Sequence, residues 1–232
     1  MSMDFKKKLI DKLVHLFEFL FPKKRKEIES NLEEVFQNRW KIVTNTLGIS
    51  MEIPKYHVEF NPDKHAYYSR NEKQITLTSQ YVNETKEMLN ETIDHEITHH
   101  IQYRTNPHLL PKKFSFDDLI PDDIYWLVKG KLKDTLLMKA FKEGFATFIA
   151  YRTSGILNPF IAKAIPTLKK GQRWKLFLSK VLPYALGYLT FQAISETCSE
   201  KSSIEIGLYK SPAVWVSTGR EAFFKLEKPF YI

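Results

Sequence analysis

The chain has 232 residues, enough for one catalytic unit with a substantial core and added helices but short of two comfortable domains. Its 43% of apolar residues, with only 8 glycines and 11 prolines, exclude a disordered or low-complexity protein, and the lone Cys198 excludes an intramolecular disulfide; a packed thiol in a reducing, cytoplasmic compartment is expected. The net charge of +8 is concentrated at one end, where residues 1–26 hold eight Lys and Arg against Asp4, Asp11 and Glu18, so no nucleic-acid face and no nucleic-acid partner are expected of the rest.

Phe5, Leu9, Leu13, Leu16 and Leu20 form an apolar stripe at helical spacing that Pro22 ends, with Lys6, Lys7, Lys8 and Lys12 flanking it and Lys23-Lys24-Arg25-Lys26 following. Two readings fit: a helix packed on the body, and a basic amphipathic helix in peripheral contact with an anionic membrane through residues 1–26. Glu18 and His15 interrupt the run and no small-residue cleavage site follows, which argues against a signal peptide. No stretch approaches the ~18–20 apolar residues of a spanning helix. Glu27 to Leu47 reads as a second helix, with Gly48 as its stop. Residues 1–50 are therefore expected as a helical N-terminal segment, and 51–232 as the main domain.

From Tyr56 the period changes to two. Tyr56–Phe60, Ala66–Ser69 and Gln74–Thr78 read as strands separated by Asn61-Pro62-Asp63 and Arg70-Asn71-Glu72-Lys73, which predicts a small antiparallel or mixed sheet. A helix follows, with its N-cap expected near Asn83.

That helix carries His95-Glu96-Ile97-Thr98-His99. Four residues apart, the two histidines lie about 40° from each other around the axis, so both imidazoles can reach one metal ion. Glu96 lies about 100° from His95, placed to take a proton from a water beside the ion. Leu89, Ile93, Ile97 and Ile101 recur every fourth residue on another side, as a core stripe does. Imidazole ligands in an open site favour zinc, one per chain. The neighbouring His100 is expected to meet a carboxylate or solvent. Glu91 and Asp94 read as a solvated face, or as groups that hold a ligand histidine's second nitrogen. His15, His57 and His65 read as structural or surface residues.

Residues 105–133 are proline-containing and loop-like at first, then mixed, and read as a lid or a connector. Asp134 is expected to cap the next helix, in which Leu137, Phe141, Phe148 and Ile149 form a stripe and Glu143 lies among Ala140, Gly144, Ala146, Thr147 and Ala150. Small residues there would let two helices approach closely. Ile156 to Leu189 reads as further helices broken at Pro159, Pro166, Gly171 and Pro183. The stretch from Cys198 onward carries no clear pattern.

The run from about Tyr56 to Tyr151 resembles the gluzincin branch of zinc metallopeptidases, the thermolysin-like superfamily and its small archaeal relatives. The resemblance implies an α+β, zincin-like fold, a sheet packed on an active-site helix with further helices at both ends. It implies His95, His99 and, within Phe141-Lys142-Glu143-Gly144-Phe145-Ala146, Glu143 as zinc ligands, with Glu96 as general base. It also implies that Ala66, Tyr67 and Tyr68 form the edge strand that binds substrate backbone. Pro183-Tyr184-Ala185-Leu186-Gly187 is similar to a Tyr-x-x-Gly stretch of related peptidases, which makes Tyr184 the candidate oxyanion donor, with Tyr151 and His108 next. Two departures stand out: 43 residues separate His99 from Glu143, and Thr147 stands where the family has an aspartate that orients a ligand histidine. His108, Asp117 and Asp118 compete with Glu143 as third ligand. Gln102 and Thr105 stand where the metzincin branch needs glycine and histidine, which excludes that branch. The expected activity is hydrolysis of peptide bonds in a peptide or protein substrate; the rival reading is a catalytically silent binding protein on the same scaffold.

Overall fold

The computed structural model describes residues 22–59, 66–69, 72–78, 85–106, 109, 124–170 and 180–226, with backbone alone over 22–29 and 124–136. Among the described residues the chain is mostly helical, with one small sheet: α1 (Pro22–Leu47), β1 (Lys55–Glu59), β2 (Tyr67–Ser69), β3 (Gln74–Thr78), α2 (Lys86–Thr105), α3 (Ile124–Ser154), α4 (Pro159–Lys169), α5 (Leu182–Thr197), α6 (Glu200–Tyr209) and α7 (Pro212–Lys225). This is an α+β protein. It divides into two compact units, Met1–His100 and Ile101–Ile232, and the division falls inside α2, which is one continuous helix.

In the first unit α1 begins at Pro22, whose fixed φ and missing N–H suit a first helical position. Leu32, Phe36, Trp40, Val43 and Leu47 make its buried stripe. It ends as the sequence predicts: Gly48 has φ +64, its N–H donates to the Asn45 carbonyl at 3.1 Å, and the Ile49 N–H donates to the Thr44 carbonyl at 3.0 Å. That is a Schellman closure, in which glycine takes the left-handed position without penalty. Within this unit the ring of Phe36 on α1 lies against Tyr56 of β1 at a centroid distance of 4.9 Å. The amphipathic stripe of residues 5–20 lies outside the described residues.

The three predicted strands form, in the order β1-β3-β2. The sheet is mixed, because β1 runs parallel to β3 (Tyr56 beside Ile75, Val58 beside Leu77) while β2 runs antiparallel to it (Tyr68 beside Ile75). A fully antiparallel meander would have put β2 in the middle. With β3 central, its threonines are buried as well as its Ile75 and Leu77, so the alternation in its sequence does not mark a wet face.

The N-cap of α2 is Thr85, whose Oγ1 accepts from the Met88 N–H at 3.3 Å; the expected Asn83 lies outside the described residues. Ile93, Ile97 and Ile101 are fully buried, as their spacing predicts.

The second unit is helical. The expected cap at Asp134 does not exist, since α3 runs unbroken from Ile124 to Ser154 and takes in the latter part of the supposed lid. Phe141, Phe145 and Phe148 of α3 meet Phe191 of α5, and Trp215 of α7 closes the cluster with centroid distances of 5.6 Å to both Phe141 and Phe191. Pro159 and Pro183 sit in the first turns of α4 and α5, as helix-starting prolines do. Pro166 does not break the helix: it lies inside α4, and the Lys170 N–H still donates to its carbonyl at 3.1 Å.

Beyond Cys198, two helices were not foreseen. Their signals are local: Ser199 and Ser211 cap α6 and α7, accepting from Ser202 N–H and Val214 N–H, and Pro212 follows the second cap. Cys198 itself is exposed and not a packed thiol, because it stands at the C-cap of α5 where the chain leaves the core. No helix among the described residues is long and apolar enough to cross a membrane.

Candidate metal centre

Helix α2 places the His95 and His99 rings 4.6 Å apart, centroid to centroid, at 88° to each other. Glu143 of α3 supplies a carboxylate, and the three ligand atoms all lie within 4.8 Å of one another. Two imidazoles and a carboxylate converging in this way can hold a metal ion. His99 is buried, and Glu143 is half-buried.

The surroundings of the motif are unusual for a helix. Between Glu91 and Gln102, Glu91, Asp94, Glu96, Thr98, His99, His100 and Gln102 are all at most 9% exposed. Burying so many polar groups is costly unless each finds a partner, so an apolar helix would serve a core better; such a violation of pattern is expected where function requires it.

Asp94 corrects one expectation. It is not solvated but fully buried, and Arg39 of α1 donates through Nε to its Oδ1 at 2.8 Å and through Nη2 to its Oδ2. Glu91 is likewise buried, since α2 is enclosed on that side too. His100 is 5% exposed, and its ring lies edge-on to Tyr68 of β2 at 5.2 Å and against Trp40 of α1 at 5.9 Å. Thr98 satisfies its own hydroxyl by donating to the Asp94 carbonyl at 2.7 Å. In the second unit, Gln102 and Asn106 donate to the Gly207 carbonyl at 3.1 and 3.2 Å, and Asn106 also donates to Lys210 O at 2.9 Å, so the C-terminal end of α2 is tied to the end of α6.

Glu143 is set by a close helix crossing. Gly144 and Gly187 face each other so tightly that a Cβ added at either would collide with backbone of the other helix. The small residues around Glu143 therefore do what their sequence suggests. Thr147, one turn on, is buried, and its hydroxyl finds no hydrogen-bond partner among the described residues. Lys142 Nζ donates to the Tyr103 hydroxyl at 2.9 Å.

Tyr184 is half-buried in the first turn of α5. Tyr188 is 4% exposed, edge-on to Tyr151 at 5.8 Å, and burial, with Tyr151 beside it, pushes its phenol up to about 12. Of the proposed substrate strand, Ala66 is buried, Tyr67 is exposed and Tyr68 is half-buried; β2 is an outer strand of the sheet. His57 is exposed, as expected of a surface residue. His15, His65, His108, Asp117 and Asp118 lie outside the described residues.

No protein-family model, curated protein or solved structure matches the chain.

Proposed function

We propose that the protein is a zinc-dependent peptidase of the gluzincin type. The observation that carries the proposal is the convergence of His95, His99 and Glu143 within 4.8 Å. Zinc holds imidazole nitrogen and carboxylate oxygen at about 2.0–2.2 Å in a tetrahedral arrangement, so two of its ligand atoms stand about 3.3–3.6 Å apart. The donor set therefore needs to close by at most about 1.5 Å. Three protein ligands leave one coordination position open, the mark of a catalytic and not a structural site.

When bound, zinc would polarise the scissile carbonyl and make water acidic enough to attack at neutral pH. Glu96, on the same helix as both histidines, is buried to 9% exposure and would take the proton of the attacking water and return it to the leaving amine. Tyr184 would donate to the oxyanion from the first turn of α5. A peptide substrate would extend the sheet by pairing its backbone with the outer strand that follows Ala66, beside Tyr67 and Tyr68, with main-chain hydrogen bonds fixing its direction.

Glu96→Gln tests this reading directly. The amide keeps the shape but cannot accept a proton, so zinc content should match the wild type while cleavage of an unstructured protein such as casein disappears. Equal cleavage by the two proteins would remove Glu96 from the mechanism, and absence of cleavage by the wild type with zinc bound would favour the silent binding protein.

A further inference from the structure

The Arg39–Asp94 ion pair joins α1 to the motif helix at the residue just before His95. Nε and Nη2 of the guanidinium each meet one of the two carboxylate oxygens, a two-point arrangement, with both side chains buried and Asp94 fully so. A buried ion pair is a poor source of stability. Desolvating both charges offsets most of their attraction, and apolar residues of similar volume often hold such a place as well or better. What the pair does supply is direction, because a two-point bond between planar groups accepts a narrow range of angles.

That matters for a helix carrying two ligands. At about 5–6 Å from the axis, a roll of about 10° displaces a ligand atom by about 1 Å. Metal constellations tolerate about 0.5 Å. The apolar contacts of Ile93 and Ile97 are non-directional and would permit such a roll.

We infer that Arg39 and Asp94 are positioning residues for the metal centre, fixing the roll of α2 so that His95 and His99 point at a common centre. The inference rests on reading His95, His99 and Glu143 as a metal site. Neither Arg39 nor Asp94 acts as a ligand; both act through the helix that carries the ligands.

The experiment replaces the pair by apolar residues, R39M with D94L, in the full chain, and measures melting temperature, zinc affinity by competition with a chelating dye, and the visible spectrum of the cobalt-substituted protein. The expected result is a protein that melts at or above the wild-type temperature, binds zinc 10–100-fold more weakly, and gives an altered cobalt spectrum. A merely structural pair would change melting and leave affinity and spectrum alone, and that outcome overturns the inference. If the double variant does not fold, R39K decides, since lysine keeps the charge but loses the two-point geometry. Weaker zinc binding at an unchanged melting temperature supports positioning, and wild-type affinity overturns it. A wild-type protein that binds neither zinc nor cobalt would instead bring down the metal site itself, and this inference with it.

Discussion

Gly144 and Gly187 touch backbone to backbone: a Cβ on Gly144 would sit 2.2 Å from the Gly187 Cα, and one on Gly187 would sit 1.9 Å from the Ala140 carbonyl oxygen. Helices α3 and α5 thus cross at the position next to Glu143, with Tyr184 one turn earlier on the second helix. Any side chain at the crossing must force the helices apart.

Gly144→Ala should therefore destabilise the protein by about 3 kcal/mol or more, since the obstacle is backbone and cannot rotate away. The sign is informative, because alanine in an ordinary helix interior gains about 1 kcal/mol over glycine. Urea unfolding measures the difference. A neutral or stabilised variant would mean that the helices do not cross here as closely as described.

The protein as purified should carry about one zinc per chain, as measured by elemental analysis. His95→Ala and His99→Ala should each lose most of it, and Glu143→Ala should do the same. Full zinc in the Glu143 variant, together with loss on replacing His108 or Asp117, would transfer the third ligand to the insert that follows α2.

Tyr184→Phe should lower kcat by about 10²–10³ while KM and zinc content stay close to wild type, because a donor aimed at the oxyanion acts only where charge develops. Tyr188 provides the comparison. It lies one turn further along α5 but is buried against Tyr151, so Tyr188→Phe should affect catalysis far less. Small and equal effects on kcat would place the oxyanion donor elsewhere.

Tyr188 has its own consequence at high pH. Its phenol is raised to about 12 in the folded protein, against about 10 in the unfolded chain, so the unfolded state gives up the proton first. The resulting stabilisation is fully present below pH 10 and is lost as pH rises from 10 towards 12. Melting temperatures across that interval should fall more steeply for wild type than for Tyr188→Phe. Parallel curves would mean that the phenol is not withdrawn from water.

The sequence by itself determined the elements whose causes are local. Apolar spacing marked the buried faces of α1 and α2, Gly48 marked the end of α1, and strand-like alternation marked all three strands. It also located the two histidines of the candidate metal centre, because four residues on a helix is a chelating distance whatever surrounds the helix. Only tertiary structure decided what depends on partners distant in the chain. The position of β3 between β1 and β2 made the sheet mixed, and enclosure of α2 turned Asp94 from an apparently solvated carboxylate into half of a buried ion pair with Arg39, 55 residues away. Convergence of Glu143 on His95 and His99 belongs to the same class: 43 intervening residues fix no distance, and the crossing at Gly144 and Gly187 fixes the helix that presents the carboxylate. Periodicity shows which side of a helix is apolar, but a charged residue on another side keeps its meaning open until the neighbour that satisfies it is in place.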